Sequence, residues 1–190
     1  MRIFVEGLWG LGKSTVCGFL LDKGYKFIIE PDHKASELLR RINLDDWYVN
    51  QFVEKVRSTT QEGDYVIERS LGSTLAYIET WSHSSGALQK YSDQIETYKT
   101  LAKNAFCIIL CSDFDNYLAA LGNQKDLRIV KFINENHQFI REYPSNLIGQ
   151  CKYLFGADNV HIIKTLVDNK YINKKLLISK IDDIVSKYKA

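Results

Sequence analysis

Nine consecutive residues constrain this chain more than any other feature: Gly7-Leu8-Trp9-Gly10-Leu11-Gly12-Lys13-Ser14-Thr15. They fit the pattern G-x-x-x-x-G-K-[ST] without a mismatch. Glycines let a backbone fold around a phosphate with its N–H groups turned inward. In that pattern Lys13 reaches the β- and γ-phosphates, and the Ser14 hydroxyl is placed to ligate Mg²⁺. The helix expected after the loop aims its positive end at the anion. The context is right as well: the apolar Arg2–Glu6 precedes the loop as a strand, and Ser14–Lys23 follows as a helix ending near Gly24. A nucleoside triphosphate site is therefore expected at residues 7–15.

The rest of the chain reads as alternating strands and helices. Further strands are expected at Tyr25–Glu30, Tyr65–Glu68, Phe106–Cys111 and Val160–Lys164. Helices are expected from about His33 to Ile42, from Leu44 to about Ser58, and from Thr74 to about Trp81. Others are expected at Leu88–Lys103, Tyr117–Leu121, Val130–Tyr143 (stopping before Pro144) and Asn173–Lys187, with a polar loop at Gly122–Arg128. Five short strands separated by helices predict βαβ units, hence an α/β chain with a parallel sheet. With 190 residues and no visible linker or repeat, a single domain over 1–190 is expected.

Composition narrows the partners. Net charge is +2, too weak a bias for nucleic acid or an anionic membrane surface. The most apolar run, Ala105–Cys111, falls far short of the roughly 20 residues of a membrane span. No signal peptide is visible. The four cysteines form no C-x-x-C pair and read as reduced thiols of a cytoplasmic protein. No H-E-x-x-H motif is present, and Asn123-Gln124-Lys125-Asp126 has the wrong order for a guanine-reading N-K-x-D.

Two further motifs carry a resemblance. Glu30-Pro31 closes the second strand, and Glu68-Arg69-Ser70 closes the third before Leu71-Gly72-Ser73-Thr74-Leu75-Ala76-Tyr77. With Glu6-Gly7 at the head of the loop, these resemble the thymidylate kinase and deoxynucleoside kinase superfamily. Glu68, Arg69, Ser73, Ala76 and Tyr77 fall in the register of the thymidylate kinase D-R-Y-x-x-S-x-x-A-Y, whereas E-R-S is the deoxynucleoside kinase wording. The resemblance covers roughly residues 1–145. It implies a single-domain P-loop NTPase fold, a five-stranded parallel sheet in order 2-3-1-4-5 with helices on both faces.

It also implies ATP-dependent phosphoryl transfer with Mg²⁺ to a small-molecule nucleoside 5′-hydroxyl or nucleoside monophosphate, with thymidylate kinase proper as an alternative. Lys13, Glu30, Glu68, Arg69 and Arg128 become the expected catalytic set. Glu30 would take the acceptor proton, Glu68 and Ser14 would hold Mg²⁺, Arg69 would bridge acceptor and γ-phosphate, and Arg128 would act as a lid arginine. Trp47, Gln51, Arg57 and Tyr77 become the expected substrate contacts.

Departures from the family pattern are informative. Trp9 stands where thymidylate kinases carry an acidic residue, and the arginine they place before Glu-Pro is Ile29 here. These favour a nucleoside acceptor, while the G-S-T-L-A-Y continuation favours a nucleotide. The interval from Arg57 to Glu68 is about half the family length, and the lid region offers only Lys125, Arg128 and Lys131. A nucleotide-binding switch without acceptor turnover is the reading of another class. Family members are often homodimers. The amphipathic Leu88–Lys103 is a candidate for that contact or for packing on its own sheet.

Overall fold

The computed structural model describes residues 1–31, 43–59, 62–120 and 126–189. The helix expected at His33–Ile42 lies outside the described residues, as do Gly122 and Lys125.

The strands are β1 (Arg2–Gly7), β2 (Lys26–Ile28), β3 (Tyr65–Glu68), β4 (Ala105–Ser112), β5 (Val160–Val167) and β6 (Lys170–Tyr171). They form one sheet in the order β2-β3-β1-β4-β5-β6. The first five are parallel and in the expected order. The sixth corrects the strand count: β6 pairs antiparallel with β5. The turn between them uses Asp168 and Asn169 with φ of 50° and 59°. Such left-handed pairs are what a two-residue hairpin needs, and Asp and Asn tolerate them.

Apolar runs explain which strands are central. Residues Ile3 to Gly7 of β1 and Ala105 to Leu110 of β4 are buried, as strands covered on both faces must be. β2 is shorter than the expected Tyr25–Glu30. It is an edge strand paired only with β3, through Lys26↔Tyr65 to Ile28↔Ile67. Ile29 and Glu30 leave the ladder before Pro31, which has no N–H to donate.

Eight α-helices are described: α1 (Lys13–Asp22), α2 (Leu44–Ser58), α3 (Leu71–Ser82), α4 (Ser92–Leu101), α5 (Phe114–Ala119), α6 (Leu127–Glu135), α7 (His137–Phe155) and α8 (Lys174–Lys187). α1 packs against β1, β2 and β3 with α8 beside it, while α7 packs on β4 and β5 with α3 and α4 against it. α2 lies against α3 and α4. Asp46 fastens its first turn by accepting from Lys90 Nζ at 3.0 Å and Tyr91 Oη at 2.6 Å.

Three helix expectations are corrected. Leu88–Lys103 is not one helix but a 3-10 turn, Ser85–Tyr91, followed by α4. Its buried residues, Ile95 and Tyr98, are used inside the chain, Tyr98 against Phe4 and Phe155. The expected loop Gly122–Arg128 ends early, because Asp126 caps α6 by accepting from Arg128 N at 2.9 Å. The segment Val130–Tyr143 breaks at Asn136, whose side chain donates to Phe132 O at 2.7 Å. α7 then runs through Pro144 instead of stopping before it. An interior proline costs about 3 kcal/mol. The stripe Ile140, Tyr143, Leu147, Cys151 and Leu154 is buried at helical spacing and offsets that cost by packing.

Gly7 shows how tightly the loop is seated. Its φ is 136°, and a Cβ there would run into the Leu110 carbonyl of the neighbouring strand. Gly7→Ala is expected to lose at least about 2 kcal/mol of unfolding free energy, combining backbone strain with a backbone clash. Chemical denaturation of both proteins measures the loss.

Candidate functional site

The site gathers at the carboxyl ends of β1, β2 and β3, where open α/β sheets hold ligands. From β1 the chain enters the glycine loop, in which Gly10 and Gly12 also have positive φ, 76° and 96°. Leu8 and Leu11 are buried and fasten the loop from within. Trp9 packs edge-on against Phe132 of α6 with ring centroids 5.6 Å apart. The Trp9 carbonyl accepts from Tyr117 Oη at 3.0 Å.

Helix α1 starts directly from Gly12 with no side-chain cap and no acidic residue in its first turn. Its first N–H groups therefore face the loop without a competing anion. Ser14 is exposed at this end and Thr15 is half-buried. Lys13 is folded over the loop, donating to Gly7 O and Leu8 O, each at 3.1 Å. Burial and the nearby Arg69 lower its pKa to about 8, against the pull of Glu30, Glu68 and Glu6.

Arg69 is the hub. It follows β3 with φ 61°, an uncommon backbone state for a residue with a side chain. Its Nε donates to Glu30 Oε2 at 2.8 Å and its Nη1 donates to Gly7 O at 3.3 Å. Burial works against its charge, but Glu30, Tyr143 and Glu6 more than offset that and hold its pKa above the usual range.

Glu6 is fully buried. Its Oε1 accepts from Ser70 N and Ser70 Oγ, both at 2.6 Å. Ser70 Oγ in turn accepts from Gly72 N at 3.0 Å, capping α3. Burial raises the Glu6 pKa, opposed by Arg69, the Ser70 bonds and Lys13. Its Oε2 lies 4.0 Å from Arg69 Nη1.

The structure brings Lys13, Glu30, Glu68 and Arg69 together as expected. Glu68 is half-buried at the end of β3 and acts electrostatically on Lys13. Of the expected substrate contacts, Trp47 and Gln51 lie on α2 and Tyr77 on α3, the helix that packs against it. Trp47 and Gln51 are half-buried one turn apart. Tyr77 packs on Trp81 and Phe139 and feels the charge of Asp45, which sets the start of α2 opposite α3.

Two expected residues are not brought in. Arg57 lies about 200° around α2 from Lys55, is exposed, and pairs with Glu54. Arg128 is exposed and bound to Asp126 through Nε at 3.1 Å and Nη2 at 2.7 Å. The helix cap holds it there instead of a phosphate. Arg141 stacks on Phe114 at 4.3 Å.

Sequence reasoning missed three residues of the site. Glu6 stands in the sequence only as a motif letter, whereas the structure makes it a buried acceptor. Trp81 continues the Tyr77 aromatic wall one turn on. Lys55 continues the Trp47–Gln51 stripe by a further turn, and the four-residue spacing was the signal that could have found it.

The residues fit a triphosphate with a divalent cation: a glycine loop, an uncapped helix start, an ammonium, a free hydroxyl and a carboxylate. Among the described residues no cluster of three or more His, Cys, Asp or Glu forms a metal site. No described helix is long and apolar enough to cross a membrane.

No family model and no curated protein matches the chain. Solved structures do. The chain is similar to deoxyadenosine kinase from M. mycoides, solved with dCMP and a flexible dCDP, with a TM-score of 0.66 and 14% identity over 98% of this chain and 100% of that one. It is similar to the YorR protein of Bacillus subtilis, solved with phosphorylated GDP, with a TM-score of 0.63 and 16% identity over 98% and 96%. Thymidylate kinase from Candida albicans matches with a TM-score of 0.59 and 15% identity over 99% and 92%.

Removing the Glu6 carboxylate leaves the two Ser70 donors without their acceptor and takes away the buried anion 4.0 Å from Arg69 Nη1. Glu6→Ala is expected to cost about 3–5 kcal/mol of stability. Ser70→Ala, which removes a cap and one bond, costs about 1–2 kcal/mol. Urea titrations of the two variants test that order.

Proposed function

We propose, for a chain with the fold of the P-loop thymidylate and deoxynucleoside kinases, that it is an ATP-dependent nucleoside or nucleotide kinase. The observation that carries this reading is the Arg69–Glu30 pair held beside Lys13 at the mouth of the glycine loop. A protein that only senses nucleotide has no need of a second cation–carboxylate pair on the acceptor side.

ATP would supply the phosphoryl group, and Mg²⁺, held at Ser14 and Glu68, would neutralise its oxygens. Gly7 to Thr15 would cradle the phosphates, with Lys13 moving from the loop carbonyls onto them. Arg69 would exchange Glu30 for the transferring phosphoryl oxygens and hold developing charge. Transfer breaks one P–O bond to the leaving diphosphate oxygen and forms one to the acceptor oxygen. With a hydroxyl acceptor, Glu30 would receive the displaced proton. Trp47, Gln51 and Tyr77 would hold the base. The place of action would be the cytoplasm.

The placement of Arg128 on Asp126 favours a second reading, a nucleotide-binding switch, because a lid arginine engaged elsewhere contributes nothing to transfer. Lys13→Ala is expected to abolish transfer. With a hydroxyl acceptor, Glu30→Gln is expected to lower kcat by at least about 100-fold while ATP still binds. ATP consumption is measured with each deoxynucleoside beside its own 5′-monophosphate. ATP binding with no acceptor above the Lys13→Ala blank overturns the kinase in favour of the switch.

A further inference from the structure

Two buried side-chain polar atoms have no hydrogen-bond partner among the described residues, Glu6 Oε2 and Lys55 Nζ. Both belong to one cleft. Lys55 is attracted by Glu30, Glu68 and Glu6, which reach it from three separate segments, yet it bonds none of them. Its Nζ lies over the Phe52 ring, 5.3 Å from the centroid.

An ammonium withdrawn from water without a hydrogen bond is costly. Exposed positions for a lysine lie next to it on α2, at Glu54 and Arg57. The stripe to which it belongs is ordered. Trp47, Gln51 and Lys55 are spaced by four residues and share one helix face. At 1.5 Å per residue the stripe is about 12 Å long. It runs from the aromatic end near Tyr77 to the carboxylates of β1 and β3. An aromatic ring, an amide and a cation in that order complement a base face, a base edge and a phosphate.

We infer that Lys55 is the acceptor-phosphate ligand of this cleft, and that the acceptor is therefore a nucleoside 5′-monophosphate and not a free nucleoside. The inference rests on the kinase reading above for its chemistry, but the binding site itself does not require turnover. A bare 5′-hydroxyl leaves Lys55 buried and unsatisfied, whereas a phosphate monoester supplies the charge-assisted bonds it lacks. A phosphate oxygen is already ionised at neutral pH, because the second pKa of a phosphate monoester is about 6. Glu30 then has no proton to remove and serves to position Arg69. The γ-phosphoryl passes to that oxygen, with one P–O bond broken and one formed.

The experiment compares wild type, Lys55→Met and Lys55→Arg. Calorimetric binding and steady-state kinetics are measured with the four deoxynucleoside 5′-monophosphates and their parent nucleosides. Wild type is expected to prefer one monophosphate over its nucleoside. Lys55→Met raises the Kd and KM for that monophosphate by at least about 10-fold. It leaves the KM for ATP unchanged and raises Tm, because an unpaired buried charge has been removed. Lys55→Arg recovers part of the monophosphate affinity.

Preference for the nucleoside overturns the inference and leaves the kinase reading intact. So does a Lys55→Met loss that is equal for nucleoside and monophosphate, or a fall in Tm. Lys55-dependent monophosphate binding without transfer sustains the inference and removes the kinase reading. No monophosphate binding by wild type overturns the inference.

Discussion

The buried carboxylate of Glu6 is the interaction on which the rest of the site depends. It ends the apolar run of β1 at the point where the chain turns into the glycine loop. Its bonds to the Ser70 amide and hydroxyl tie that turn to the start of α3. Arg69 stands between, held in a left-handed backbone state that local energetics disfavour. Because Ser70 is fastened on one side and Glu30 on the other, the guanidinium has little freedom to leave. A carboxylate this deep is expensive unless cations and donors surround it. Here the surrounding cations are the groups proposed to handle phosphate, so in that reading folding and function draw on the same charges.

The second anchor is quieter. α2 carries the stripe of Trp47, Gln51 and Lys55, and its first turn is fastened by Asp46 to Lys90 and Tyr91. That attachment is made to the turn before α4, whose Tyr98 is buried against Phe4 of β1. The α2 wall is thus referenced to the same central strand as the glycine loop. Two walls contributed by distant parts of the chain keep a common frame.

Much of this was legible in the sequence, and the reasons are physical. The glycine loop is contiguous, so its spacing alone encodes its geometry. Glu30, Glu68 and Arg69 came with the resemblance, and they sit together because they lie at or just past the ends of the neighbouring parallel strands β2 and β3. The order of the five parallel strands followed from the resemblance. What escaped depended on orientation or on long-range packing. Arg57 and Arg128 have the right chemistry on the wrong side, one turned outward on α2 and one captured by its own helix cap. Pro144 signals a stop because its local cost is large, but the buried stripe around it outweighs that cost. β6 escaped because two residues carry no periodicity, although Asp168-Asn169 marked the turn. Lys55 escaped because a lysine on an amphipathic helix is ordinarily solvated, and only the fold shows this one withdrawn.

The Arg69–Glu30 bond has one more consequence. Six ionisable side chains line the cleft: Glu6, Glu30 and Glu68 against Lys13, Lys55 and Arg69. Three carboxyl groups thus face three basic side chains, so the cleft carries its own counterions. An incoming anion does not meet an open positive field. It would have to displace an internal counterion, and each displaced carboxylate would become available to a cation arriving with the anion. In the kinase reading proposed above, a phosphate group and a divalent metal would therefore enter as one exchange rather than as two independent additions.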